Sequence, residues 1–273
     1  MFRNIKAIVV AAAIALCAGV AAAQQQPSAA KVRLGSSTAK NGFINETEIA
    51  AKFNDWRSDA DAAAWLAFMG HKAGDIVSVT ATKPHGEKAD VEVAVRTARG
   101  ERREGISIKL VSGPTGFNQI DKRWLSHYAE MWRMPPDVVA ALRLFVGETE
   151  PATPGRQAGR TYLSEMDPAA QKKIVDFFTI HKAEIVSDLF EGDGAHSAKW
   201  ILVALKSEAK PRWVLRSMDY AKKFFGEGKV EITARGNLKI GRITVQRKGG
   251  DGGRETANML QFKINPALLF DAD

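Results

Sequence analysis

The chain has 273 residues, 45 % of them hydrophobic and 26 % charged, which excludes a disordered polymer and suits one large folded domain or two small ones. Its 39 Lys+Arg against 31 Asp+Glu leave +8, an excess that suits a partner built of phosphates, although secreted proteins also carry basic charge for solubility alone. Cys17 is the single cysteine, so an intramolecular disulfide and a cysteine-based zinc site are excluded, and after residue 23 no apolar run is long enough to cross a bilayer.

Residues 1–23 read as a secretory signal. Arg3 and Lys6 give a positive start, residues 7–16 are apolar, and Ala21-Ala22-Ala23 offers a small-residue cleavage pattern. Its removal takes the chain from +8 to +6. A translation start near Val32 is the alternative. Residues 24–33 read as a linker, and 34–273 as the folded domain.

Lys40-Asn41-Gly42 is expected to punctuate the chain before a helix carrying Ile49, Phe53 and Trp56. A short helix with Trp65, Leu66 and Met69 follows, ended by Gly70. Ile76–Thr82 is β-branched and reads as a strand. Val91, Val93 and Val95, then Ile106, Ile108 and Leu110, alternate with polar residues and read as a hairpin joined over 97–104. If each apolar set faces the core, Asp90, Glu92, Ser107 and Lys109 share the other face. Residues 116–123 are expected as a glycine loop and polar helix start, ahead of a helix with Trp124, Tyr128, Met131 and Trp132. Asp137 is expected to cap the next helix, with Val138, Leu142 and Phe145. Residues 147–159 read as a loop, and Asp167-Pro168 opens a helix with Ile174, Phe177 and Phe178. Strands are expected over 200–205, 213–215, 230–233 and 238–245. The alternation of helix and strand favours one mixed α/β domain.

Three constellations can carry chemistry. Asp90 followed on the next strand by Ser107 and Lys109 has the form of a metal-dependent phosphodiesterase site. Asp90 and the backbone carbonyl of Ile108 would hold Mg²⁺, and Lys109 would position water and offset charge on the phosphorane. The same residues on a solvated strand face would carry no chemistry. Glu92 and Glu46 are weaker candidates for the surroundings of the metal. The second constellation is the basic, glycine-interleaved stretch 235–254, in which Gln246, Arg247, Lys248 and Arg254 have the chemistry to contact DNA bases or phosphates. A basic edge strand and a flexible loop are the alternative. The third, around Asn118, Gln119 and Lys122, suits phosphate or base contact, or simple capping. The five histidines show no metal-ligand spacing.

These segments together resemble the HinPI-type type II restriction endonucleases. The likeness rests on residues 34–43 with Asn45-Glu46, on Lys109-Leu110-Val111-Ser112 followed by residues 116–122, and on residues 244–251 and 253–264. It covers the chain from about Leu34 to Phe270. The resemblance implies a single restriction-endonuclease-like domain of the PD-(D/E)xK nuclease fold, with a central mixed sheet flanked by helices. It implies Mg²⁺-dependent cleavage of double-stranded DNA at GCGC after the first G, leaving a short 5′ overhang, with Asp90 as metal ligand and Lys109 as catalytic lysine. Ser107 departs from the pattern, which carries Gln there. The signal-like N-terminus implies export, whereas the resemblance implies a cytoplasmic enzyme.

Overall fold

The computed structural model describes residues 29–84, 87–192, 197–206, 210–251 and 254–272, with the backbone alone over 29–39. The signal-like segment with Cys17, residues 24–28 of the expected linker, and His85, Gly86, His196, Gly252 and Gly253 lie outside the described residues.

Helix α1 (Ala29–Asn54) begins inside the expected linker and runs through Lys40-Asn41-Gly42 without a break. Ala29, Ala30, Lys31, Arg33 and Leu34 are strong helix formers, and one interior glycine costs only about 1 kcal/mol, so Gly42 does not stop it. Ile49 and Phe53 of α1 are fully buried, with Trp56 just beyond its end. Helix α2 (Ala60–Phe68) is capped by Asp59, whose side chain accepts from the Ala62 amide.

Strand β1 (Ile76–Thr82) pairs antiparallel with β2 (Val91–Thr97), and β2 with β3 (Gly100–Val111). The β2–β3 turn is tighter than the connection expected over 97–104, closing at the Thr97–Gly100 pair. The charged residues 101–104 stay in the ladder because they find ionic partners there, Arg103 meeting Glu92 at 2.7 Å and Glu101 at 3.0 Å. Strands β4 (Asn118–Arg123), β5 (Trp200–Leu205) and β6 (Arg212–Ser217) follow in the chain, and β5 lies parallel to β3 and antiparallel to β6. The order β1-β2-β3-β5-β6 makes the mixed sheet.

A second five-stranded sheet, wholly antiparallel, has the order β4-β10-β9-β8-β7, with β7 (Val230–Ile232), β8 (Leu238–Ile240), β9 (Ile243–Arg247) and β10 (Leu260–Ile264). Residues 118–123 are therefore a strand, not the expected start of a helix, because they pair along β10. The single strand expected over 238–245 is broken by a turn at Gly241. There φ is +55°, and an added Cβ would stand 2.4 Å from the Glu227 carbonyl oxygen, so the position requires glycine. Among the described residues five more α-helices follow: α3 (Leu125–Met131), α4 (Pro136–Val146), α5 (Pro168–Ile180), α6 (Lys182–Phe190) and α7 (Met218–Gly226). Pro136 occupies the first turn of α4 and Pro135 the cap position, so Asp137 lies inside the helix, where its Oδ1 accepts from the Val138 amide at 2.9 Å and its Oδ2 from Lys173 at 2.6 Å.

Two cores lie on opposite faces of the mixed sheet. The smaller packs α1 and α2 on Val91, Val93, Val95, Ile106, Ile108 and Leu202. The larger joins Val111, Ile201 and Val203 to α3–α7 and to the inner face of the second sheet, through Val245, Leu260 and Phe262. No helix among the described residues is long and apolar enough to cross a membrane.

Gly105 permits the close approach that carries β3 toward β5. An added Cβ there would stand 2.2 Å from the Ser197 carbonyl oxygen. Gly105→Ala is expected to lower stability by about 1–3 kcal/mol, as overpacking does. Urea unfolding measures it, and an unchanged midpoint would contradict this packing.

Candidate active site

Asp90 stands one residue before β2 and its amide donates to the Ile106 carbonyl at 2.9 Å. Its Oδ2 accepts from the Ile108 amide at 2.6 Å and from the Ser107 hydroxyl at 3.3 Å. Lys109 Nζ donates to Ser107 Oγ at 2.9 Å and lies 3.6 Å from Asp90 Oδ2. The sequence-predicted trio is thus assembled on one face, with Ser107 buried between the two charges. Oδ2 takes all of these contacts, which leaves Oδ1 without a hydrogen-bond partner among the described residues.

The two polar groups of a strand residue point to the same side. Ile108 sends its amide toward Asp90, so its carbonyl faces the same edge, beyond the last paired residue of β2. One free carboxylate oxygen and one edge carbonyl suit a hard cation that retains several waters. Among the described residues no three His, Cys, Asp or Glu side chains converge as a denser metal cage.

Glu46 comes from α1 and pairs with Lys83 at 3.1 Å. Burial raises its carboxyl above the usual range. Lys83 opposes that shift, the negative charge of Asp90 adds to it, and Lys109 opposes it. Glu46 therefore shares the electrostatic field of the Asp90 site. Glu92 is buried on β2 and pairs with Arg103.

The second sheet presents a row of amides. Gln261 lies opposite Gln246 in the β10–β9 ladder and bridges it to Gln119, donating to Gln119 Oε1 at 2.8 Å and accepting from Gln246 Nε2 at 3.4 Å. Lys122, opposite Gln261 on β4, is exposed. Asn118 lies at the far end of that pairing, beside Ile264. Arg247 is turned away. It has the parity of Val245 and Ile243, whose side chains enter the core, and both its Nε and Nη2 donate to Asn258 Oδ1, at 3.1 and 2.6 Å. Gln246 and Lys248 thus share a face that Arg247 does not. Lys248 pairs with Asp251, and Arg254 is exposed in the following loop.

Sequence reasoning missed the groups that join the two parts. Asp121 is buried and accepts from Lys88 at 3.1 Å, Arg123 at 3.3 Å and Tyr128 at 3.0 Å. Lys88 also donates to the Ile120 carbonyl at 3.0 Å, and burial lowers its pKa despite the opposing Asp121 charge. It is two residues from Asp90, and it borders a cavity of about 560 Å³ lined also by Gln119, Lys122 and Arg123. Its position before the strand was the only signal in the sequence. Of the histidines within the described residues, His71 is buried against Glu104 at 2.9 Å and His181 meets Glu184 at 3.2 Å, in keeping with structural roles.

The model of the R.HinP1I restriction endonuclease family matches residues 69–270. Among solved structures, the chain is similar to restriction endonuclease MspI in complex with its cognate DNA. The TM-score is 0.60 at 13 % identity, over 88 % of this chain and 94 % of that one. No curated protein matches. The match spans Asp90, Ser107, Lys109 and the whole amide row, and the chain belongs to the R.HinP1I family of type II restriction endonucleases, site-specific nucleases that act on DNA.

Proposed function

We propose that this endonuclease hydrolyses duplex DNA at GCGC, after the first G, with Mg²⁺ as its metal and a PD-(D/E)xK-type site centred on Asp90 and Lys109. The carrying observation is the convergence of Asp90 and Lys109 on the buried Ser107 hydroxyl, with the Ile108 amide donating to Asp90 Oδ2. The choice of GCGC rests on the resemblance of residues 244–264.

Asp90 Oδ1 and the Ile108 carbonyl would hold Mg²⁺, which when bound supplies an acidified water and offsets phosphoryl charge. Ser107 orients Lys109 Nζ, and Lys109 positions the attacking water and stabilises the charge that grows on the phosphorane. Glu46 stands outside this shell. Gln119 and Gln246 read base edges, with Asn118 in support, while Lys122, Lys248 and Arg254 contact the duplex through their charges. A second reading, an exported nuclease of the same fold, is favoured by Arg3, Lys6 and the apolar run that follows. N-terminal sequencing of the native protein separates the two: a mature start at Gln24 supports export, and a start near Val32 opposes it.

Asp90→Asn keeps the hydrogen-bond acceptor and Lys109→Ala removes the ammonium. Each is expected to abolish plasmid cleavage while duplex binding persists, at a stability cost of about 1–2 kcal/mol because both side chains are partly buried in one hydrogen-bond network. Cleavage near the wild-type rate in either variant would reject the site. Wild-type protein that binds the duplex without cutting it in Mg²⁺ would instead indicate a DNA-binding module.

Gln246→Ala is expected to lose about 1–3 kcal/mol of binding on GCGC duplex and little on unrelated duplex. Lys122→Ala is expected to weaken both equally and to reduce the salt dependence by about one ion. Equal losses for Gln246→Ala on both duplexes would place it on the backbone.

The raised pKa of Glu46 has a definite sign in stability. Between its unfolded value near 4.5 and the higher folded value, the native state binds more protons than the unfolded chain, so stability falls as pH rises through that window. Glu46→Gln removes this slope. Urea unfolding at several pH values is expected to show the variant gaining on wild type from pH 4 toward neutrality, and a constant difference would exclude the raised pKa.

A further inference from the structure

Arg160 follows the 147–159 loop and is 6 % exposed. Its guanidinium carbon lies 4.3 Å from the Tyr162 ring centroid and 4.8 Å from that of Phe145, so two aromatic rings hold it. Nε and Nη2 are shut off from solvent and have no hydrogen-bond partner among the described residues. Nη1 is the guanidinium nitrogen left at the surface.

Burial lowers the Arg160 pKa to about 10, with the charges of Arg247 and Arg156 acting in the same direction and Tyr162 and Glu165 opposing. Arg247 is itself met by the neutral oxygen of Asn258, whose amide is anchored on the Gly147 carbonyl at 2.9 Å. Arg156 packs on the Tyr162 ring at 4.0 Å, and its charge is answered by Glu165 at 2.8 Å. Glu165 is further occupied by the amides of Arg156 and Tyr162, at 3.0 and 2.8 Å. Among the described residues, Glu165 is the carboxylate that acts on Arg160, and it is already engaged by Arg156.

A desolvated, unpaired cation is unfavourable, and a second cation beside it makes it more so. A water would accept hydrogen bonds from Arg160 without relieving the repulsion from Arg247. A multivalent oxyanion does both. The aromatic clamp fixes the guanidinium plane in advance, so Nη1 is held ready to donate to a phosphate oxygen at the surface.

We propose that Arg160, clamped by Phe145 and Tyr162 and backed by Arg247, is a phosphate-binding site separate from the Asp90–Lys109 centre. Its source is a backbone phosphate of the bound duplex or a free phosphate ion. Only the first rests on the reading of the protein as a GCGC nuclease. Arg247 closes the β9 segment on the face opposite Gln246, so a phosphate held here would bear on the end of that strand rather than on the amide row itself.

The test is thermal unfolding of the full-length, metal-free protein in inorganic phosphate against chloride at equal ionic strength, with wild type and Arg160→Met. Phosphate is expected to raise the wild-type Tm in a saturable way, and the variant is expected to lose that increment while any contribution from Lys109 persists. In chloride the variant is expected to melt no lower than wild type, because an unpaired buried charge has gone. Duplex binding across a salt series separates the sources. A log–log slope lower by about one in Arg160→Met assigns a DNA phosphate, and an unchanged slope with the Tm response lost assigns free phosphate. Equal phosphate responses in wild type and variant overturn the site whatever the cleavage specificity proves to be. If Arg160→Met fails to fold, Arg160→Gln keeps a polar side chain without the charge, and a wild-type phosphate response in that variant overturns the site in the same way.

Discussion

The Asp90 carboxylate stands beside β3 where β2 has ended. In a longer hairpin the Ile108 amide would meet a backbone carbonyl, and here it donates to Asp90 Oδ2. A side chain continues the ladder, and the rest of the site follows. The second carboxylate oxygen is left free, the Ile108 carbonyl faces an open edge, and Ser107 and Lys109 fall on the face toward the second sheet. All of this depends on register. Val91, Val93 and Val95 are fully buried against α1 and α2, and a slip of one residue would exchange them for Glu92 and Ala94. The hydrophobic face of the hairpin thereby sets the position of the chemistry on its other face.

Asp121 plays the corresponding part between the two sheets. It gathers Lys88 from the approach to Asp90, Arg123 from its own strand and Tyr128 from α3. Tyr128 stacks on Trp132 at 4.7 Å and meets Phe262 edge-on at 5.2 Å, so the polar cluster is rooted in the larger core. The strand that bears Gln119 is thus held by charge on the side facing Asp90 and by aromatic packing beneath.

Much of the mixed sheet was legible in the sequence. Strict alternation over 91–95 and 106–110 gave the hairpin, and the two faces it implied placed Asp90, Ser107 and Lys109 together. The tightness of the turn was hidden because residues 101–104 are charged, and only their cross-strand partners keep them in a strand. Strand β4 was misread since Ile120 is its single apolar residue and its pairing partner lies far along the chain. Strand β10 alternates Leu260, Phe262 and Ile264 with Gln261 and Lys263, a period-two pattern that marks it as a strand in the sequence itself. The burial of Arg160 has no local signal, because Phe145 reaches it from a helix before the loop and Tyr162 from beyond it. Arg247 shows the opposite lesson. Three consecutive polar residues read as one surface, yet strand parity turns the middle one inward.

The parallel pairing of β3 with β5 carries a consequence for the life of the chain in the cell. Lys109 is fixed on a strand whose neighbour is made only after four more helices, and β4 waits for β10 near the end of synthesis. Contacts so distant in sequence form slowly and late. A ribosome-bound or prematurely ended chain lacking β10 has neither a sheeted β4 nor the Gln119–Gln261–Gln246 row. The Asp90–Lys109 cluster therefore has its neighbouring strand once β5 is made, whereas the amide row is assembled only when β10 joins, at the last step of folding.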